Sequence, residues 1–496
     1  MLKIKIKEFL GRFFPASSRT FHVKTEMIRN DMRRLEKKIL ELIESDRISK
    51  KPMHELKSNI AVQKKILELI ESDIASTKKI IDLMQIGNIN STILIYNQIH
   101  YRLLEKLRKK VKDGGKAKVF FLIDRISTFP EKTIYDIMLN SELFEPYIFL
   151  FRRDTRFYEA KENFEIMKEK GYQCIYAYDE THAPVDLNNY KPDILFYNTT
   201  LLSKGLYRPD VLNCNYLVCY IPYHSGVIDK DGYHIKHPNA VKAWINFANN
   251  SEIYNRFLES TYLPLNTVYF GYPKLDAYMD NTDETSMPDK FSSSNPCVIY
   301  APHWSIETSN DLATFHIYHK YFFSLMLNNP NINFIFKPHP ELPRRIREHG
   351  SKVGINTNEY LEYYCEWNNM SNGYCVIDGE YIGLFKKSRC LITDSASFVG
   401  EWLPSGNPCI IIVNTKKYDK STYYKKFMPH AQRILDTYYL AYSENEIQEL
   451  FDKIVINGID EKYEERVNLS KELFPNLGNA SKNIVDYITR QIKENI

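Results

Sequence analysis

Three short motifs in this chain combine residue types that hold anions. They are Tyr300-Ala-Pro-His303-Trp, Phe336-Lys337-Pro-His339-Pro and Thr393-Asp394-Ser395-Ala-Ser397. Lysine supplies a compact positive charge, and a histidine N–H can donate to a phosphate oxygen. Ser395 or Ser397 is placed to cap a helix over about 397–403, whose first N–H groups and positive dipole end suit a phosphate. A fourth segment, Tyr220-Ile-Pro-Tyr-His224-Ser-Gly226, offers an imidazole that can act as general base on an acceptor hydroxyl near neutral pH. Each motif alone has an ordinary explanation: a serine before a helix is a cap, Lys-Pro-His-Pro is a turn, and His224 can be a structural turn residue. The chemistry lies in their convergence. Asp229-Lys-Asp231 could hold a divalent ion on a diphosphate, but it sits in a loop. His234 and His237 lack acidic or cysteine partners at ligand spacing, so the reading is metal-free.

The motifs follow apolar runs, and those runs set the architecture. From residue 118, Val119–Ile123, Tyr147–Phe151, Cys174–Ala177, Asp193–Tyr197 and Tyr216–Ile221 alternate with helical stretches. Helices are expected near 131–141, 157–170 and 241–258, with a last strand at Val268–Phe270. This βαβ rhythm describes a parallel, doubly wound sheet. After the polar stretch Asp280–Asn295 a second unit begins, with strands at Cys297–Tyr300, Ile332–Phe336, Tyr374–Ile377, Cys390–Ile392 and Cys409–Val413. Helices near 309–328, 444–455 and 478–494 complete it. Two Rossmann-like units in tandem leave a cleft, and ligands of such sheets bind beyond the carboxyl ends of the strands. All three anion-binding motifs fall at such ends. Neither a G-x-G-x-x-G nor a G-x-x-x-x-G-K-[ST] occurs, which argues against a dinucleotide dehydrogenase and a P-loop NTPase.

The 496 residues carry a net charge of +4, but residues 1–115 alone carry +11 and the remainder −7. The excess is no sign of a nucleic-acid partner; it is a basic N-terminal part on a mildly acidic body. Residues 1–14, MLKIKIKEFLGRFF, place Leu2, Ile6, Phe9, Leu10 and Phe13 on one helical face and lysines opposite, with Pro15 ending the helix. Such a helix suits an anionic membrane surface; packing on the body or a partner subunit is the other reading. Residues 21–85 step at heptad spacing, and KKILELIESD occurs twice, at Lys37–Asp46 and Lys64–Asp73, either side of Pro52. The duplication reads as a helical hairpin or coiled-coil stalk promoting homo-oligomerisation, or as a bundle on the body. A further helix over about 91–112 leads to an Asp113-Gly-Gly linker. The eight cysteines form no CxxC pair and lie mostly in apolar runs, as buried thiols of a reducing cytosol do. No apolar run reaches the ~18 residues of a membrane span, so the chain is expected in the cytoplasm, peripheral on the inner face of the membrane.

On Tyr300-Ala-Pro-His303-Trp, Lys337-Pro-His339-Pro and Thr393-Asp394-Ser395-Ala-Ser397, with the following Glu401-Trp-Leu-Pro-Ser-Gly-Asn-Pro, the sequence resembles the CDP-glycerol glycerophosphotransferases of teichoic-acid and capsule synthesis over roughly 118–440. The resemblance implies a GT-B fold, an acceptor domain over 116–280 and a donor domain over 281–496, preceded by the basic helix (1–20) and the stalk (21–115). It implies metal-independent transfer, without a cofactor, of a phosphopolyol from a CDP-linked donor to a hydroxyl of a glycan or lipid-linked acceptor. It matches His224 to the family's base, His339 to its donor-phosphate histidine, and Thr393, Asp394 and Ser397 to its Thr-Asp-Tyr-Ser-Ser motif; taken with the anion-binding motifs, the reading puts His224 and His339 in catalysis and His303, Lys337, Thr393, Asp394, Ser395, Ser397 and Glu401 at the donor. The chain departs from the family pattern at His224-Ser-Gly, where the family has His-Gly, and at Ser395 and Ala396, where it has Tyr and Ser. A nucleotide-sugar glycosyltransferase and a catalytically inactive coiled-coil scaffold are the alternatives.

Overall fold

The computed structural model describes residues 90–152, 157–199, 205–228, 237–259, 266–280, 287–308, 311–376 and 381–494. The basic helix, the duplicated stalk, Asp229, Asp231 and His234 lie outside the described residues. Two parallel sheets form the body. The first takes β1 (Ala117–Ile123), β2 (Phe144–Leu150), β3 (Cys174–Tyr176), β4 (Ile194–Tyr197), β5 (Leu217–Tyr220), β6 (Ile245–Ala248) and β7 (Thr267–Tyr269) in the order β3-β2-β1-β4-β5-β6-β7. The second takes β8 (Cys297–Ala301), β9 (Asn333–Phe336), β10 (Gly373–Cys375), β11 (Cys390–Thr393), β12 (Cys409–Ile412) and β13 (Tyr439–Ala441) in the order β10-β9-β8-β11-β12-β13. Strand order reverses beside β1 and again beside β8, so each sheet opens a crevice at the carboxyl ends of its central strands.

Helices on both faces bury these strands completely, which is why β4, β5, β11 and β12 read as unbroken apolar runs rather than alternating ones. Two elements differ from expectation. The stretch near 241–258 is not one helix: a short helix at Pro238–Lys242, β6 and a helix at Ser251–Glu259 divide it. Ile-Asn-Phe-Ala at 245–248 is buried on every residue, which an amphipathic helix would not allow. The edge strand β13 was not foreseen, because three residues carry too little period to be seen. Five cysteines are buried as expected, whereas Cys214 and Cys365 are exposed on helices.

The helix over 90–112 belongs to the α/β body rather than to a stalk. Ile93, His100, Leu104 and Leu107 are buried, and Arg108 donates from Nε to the Gln491 carbonyl at 3.0 Å. At the other end of the chain, helix Ala480–Lys493 packs against the first half, on helix Lys132–Leu139. Asp276 caps it by accepting from the Ala480 and Ser481 amides at 3.1 and 2.7 Å. Burying Ile484, Ile488 and Ile492 stabilises this crossing by about 2 kcal/mol per side chain. The two halves are thereby held with their strand ends facing. Among the described residues, no helix is long and apolar enough to cross a membrane.

Candidate functional site

Asp394, just after β11, organises the rim of the second sheet. Its carboxylate accepts from the His303 amide (2.5 Å), the Thr314 amide (2.5 Å) and the Thr314 hydroxyl (2.7 Å). Burial, at 2% exposure, pushes this carboxyl up to about 6 against the pull of those donors. Asp394 therefore fixes the loop that carries His303. Thr393 ties the same strands, donating to the Ala301 carbonyl at 2.6 Å and accepting from the Ser395 amide at 2.9 Å. Ser395 stands at the N-cap of helix Ala396–Trp402, but its side chain makes no capping bond. Ser397 meets the first half through its carbonyl, which accepts from the Ser225 hydroxyl at 3.1 Å.

His303, Trp304 and His339 form an aromatic cluster, with the two imidazole centroids 5.7 Å apart. Burial lowers His303 to about 4; burial, His303 and Arg125 hold His339 well below its usual range. Both rings are neutral at pH 7. His339 Nδ1 accepts from the Glu341 amide at 3.1 Å, so its proton sits on Nε2 and that nitrogen is a donor. His303 Nδ1 lies 2.8 Å from the Ser305 hydroxyl, which itself accepts from the Leu312 amide at 2.9 Å. Lys337 is 3% exposed, and its ammonium lies 4.7 Å over the Tyr381 ring. Lys274, from the first half, lies 4.6 Å over the same ring. Lys274 also donates to the Tyr381 oxygen (2.5 Å) and to Glu401 (3.2 Å), and the Tyr381 hydroxyl donates to the other Glu401 oxygen. One oxygen of Glu401 thus joins the halves through Lys274, while the other is held by Tyr381 of its own half.

Across the cleft, the His224 segment follows β5. Asn249 donates to the His224 carbonyl, and Asn250 to the Ser225 carbonyl at 3.2 Å. Gly226 takes φ +69, where a Cβ would meet Ile253 at 2.3 Å, so only glycine allows this turn. Its amide donates to His224 Nδ1 at 2.9 Å. That bond bears on the role expected of His224 as a base. A neutral His224 carries its proton on Nε2 and presents a donor there, whereas a general base needs that nitrogen bare. Nearby His237 stacks on Tyr220 and accepts from the Asn239 amide at 3.2 Å, capping the short helix after it. Among the described residues no group of three His, Cys, Asp or Glu is placed to hold a metal.

Sequence reasoning missed the charged groups of the first rim. Arg125, after β1, pairs with Glu341 of the second half, 216 positions away, and lies 3.7 Å from Glu159. Arg152, after β2, pairs with Asp124 at 3.0 Å. Their common signal was position, since each lies within two residues of the end of an apolar strand run.

No family model matches the chain, and no curated protein matches it. Among solved structures, the chain is similar to the wall teichoic acid polymerase TagF, with a TM-score of 0.51 at 12% identity over 84% of this chain and 99% of that one. It is also similar to a UDP-GlcNAc 2-epimerase from Neisseria meningitidis, solved with UDP-GlcNAc bound, with a TM-score of 0.48 at 14% identity over 75% of this chain and 100% of that one. At such identities the likeness is one of fold, and the fold is GT-B.

Proposed function

We propose that this protein transfers glycerol phosphate, or a related phosphopolyol, from a CDP-linked donor to a hydroxyl of a glycan or lipid-linked acceptor. The observation that carries the reading is the set His303, Lys337 and His339 at neighbouring strand ends, with the two imidazole centroids 5.7 Å apart. Neutral imidazoles beside a lysine, with His339 donating from Nε2–H, can bind a diphosphate without a resident metal and stabilise charge on it. The acceptor oxygen bonds to the phosphorus bearing glycerol. The anhydride oxygen leaves with CMP, whose phosphate accepts the electron pair without needing a proton. His339 and Lys337 serve the diphosphate, and His224 Nε2–H serves the phosphoryl group in transit. Asp394, Thr393, Ser395 and Ser397 hold the frame around it.

The test is single-turnover transfer from CDP-glycerol to a panel of lipid-linked glycans. The reading expects transfer by the wild type and its loss in a His224→Ala, His339→Ala pair; near wild-type rates in that pair would refute it. Ser395 and Ala396, which depart from the family motif, favour a second reading, a nucleotide-sugar donor on the same fold. Thermal stabilisation by a UDP- or CMP-sugar but not by CDP-glycerol would select it. No stabilisation by any nucleotide, with strong self-association, would select the inactive scaffold. The +11 of residues 1–115 supports docking on anionic lipid, each basic residue near the surface contributing about 1 kcal/mol.

A further inference from the structure

Transfer to a hydroxyl requires a group that takes its proton, and the carboxylates of the cleft are nearly all committed. Asp124 is paired with Arg152, Glu341 with Arg125 and Arg344, and Glu401 with Lys274 and Tyr381. Asp394 is held by the His303 and Thr314 donors. His224 offers a donor at Nε2, as argued above. Glu131 differs. It precedes helix Lys132–Leu139, beyond the end of β1, and is 1% exposed. One oxygen, Oε2, accepts from Asn198 Nδ2 at 3.2 Å; the other, Oε1, has no hydrogen-bond partner among the described residues.

Asn198 places this carboxyl beside the acceptor segment. It follows β4, its side chain holds Glu131 and the Thr128 carbonyl, and its own carbonyl accepts from the Tyr223 amide at 3.1 Å. Tyr223 is the neighbour of His224. A buried carboxylate oxygen without a donor is costly, and one at the strand-end rim of a GT-B cleft is placed to receive a proton.

Resting on the transfer reading above, we propose that Glu131 is the general base. An acceptor hydroxyl, directly or through one water, enters between the 126–131 segment and the 220–224 segment and gives its proton to Oε1. The acceptor oxygen bonds to phosphorus, CMP departs, and protonated Glu131 returns its proton to solvent. Burial raises this carboxyl to about 8 against the pull of Asn198, its own backbone amide and Lys274, so Glu131 is mostly protonated at pH 7 and its base form fills as pH rises through about 8. Around it stand Lys274 and Tyr272 from the β7 side and Cys219 of β5. Of these, Lys274 is the one cation that enters its balance.

The experiment compares wild type, Glu131→Gln and Glu131→Asp as full chains, using CDP-glycerol and a synthetic lipid-linked disaccharide. Gln keeps the shape and still accepts from Asn198, but takes no proton. The expected result is a loss of at least about 100-fold in single-turnover rate, an unchanged thermal shift with CDP-glycerol, and disappearance of the rising limb of the pH–rate profile. Asp should restore part of the rate together with a shifted limb. A Gln variant within about threefold of wild type, with the same pH profile, overturns the assignment alone. Should the Gln variant fail to fold, the Asp variant decides: an unshifted limb overturns the assignment, a shifted one supports it. A wild type that neither binds nor turns over CDP-glycerol overturns the transfer reading and this assignment with it.

Discussion

The junction of Lys274, Tyr381 and Glu401 sets a direct test of how the two halves are held. The perturbation is Lys274→Met, which keeps the length of the side chain and removes its charge. Lys274 is 11% exposed at its side chain and Glu401 1%, so the pair belongs to the buried regime, where salt screens little. Removing one partner of a buried pair costs about 3–5 kcal/mol, because the remaining charge stays desolvated. Tyr381 still donates to Glu401, which favours the lower end, about 3 kcal/mol. With about 2.1 cal/mol/K of unfolding entropy per residue and roughly 400 residues in the α/β body, that becomes a Tm lower by about 3–4 °C. The assay is thermal unfolding of wild type, Lys274→Met, Glu401→Gln and the double variant. The double variant should recover most of the loss, since no charge is then left buried. A Lys274→Met variant within 1 °C of wild type, or a loss that high salt erases in the wild type, would refute the buried-pair argument. The same variants probe donor binding: if Glu401 acts through the junction rather than on the donor, Glu401→Gln keeps the CDP-glycerol thermal shift.

Further outcomes follow from the same geometry. His303 is lowered to about 4 in the folded chain against an ordinary value near 6.5, so below 6.5 the unfolded chain gains a proton that the folded one refuses. Stability should fall as pH drops from about 6.5 to 4, and His303→Gln should flatten that fall in a urea titration. At Gly400 a Cβ would lie 2.8 Å from both Cβ and Oγ of Ser225, so Gly400→Ala should cost about 1–3 kcal/mol and slow transfer. Adding Ser225→Gly should recover stability; no recovery in a double-variant melt would show that the clash lies elsewhere. Deleting residues 1–20 should reduce sedimentation with anionic vesicles while sparing transfer to a soluble acceptor; unchanged vesicle binding would refute the membrane role of that segment.

Local pattern carried much of this protein. Continuous apolar runs such as Cys390-Leu-Ile and Cys409-Ile-Ile-Ile mark fully buried parallel strands. The residues directly after them must lie on one rim, because every strand of a parallel sheet points the same way. His303, Lys337, His339 and Asp394 were legible for that reason. The run at 245–248 was misread because a short buried strand and a buried helical segment look alike over four residues. Arg125 and Lys274 were passed over because a single charge after a strand carries no partner in its own neighbourhood.

What only the tertiary structure decided is how each polar group spends its hydrogen bonds. Gly226 and Glu341 place the protons of His224 and His339 on Nε2; Lys274 and Tyr381 take up Glu401; Glu341 reaches Arg125 from the other half. Glu131 is left with an open oxygen. Sequence determines which residues are apolar enough to be buried and, through direction, which ends face the cleft. Burial then multiplies the consequence of every remaining partner, because a desolvated group is governed by its nearest few neighbours. Those neighbours come from strands and loops far apart along the chain, so the roles of these residues emerge only once the two sheets face each other.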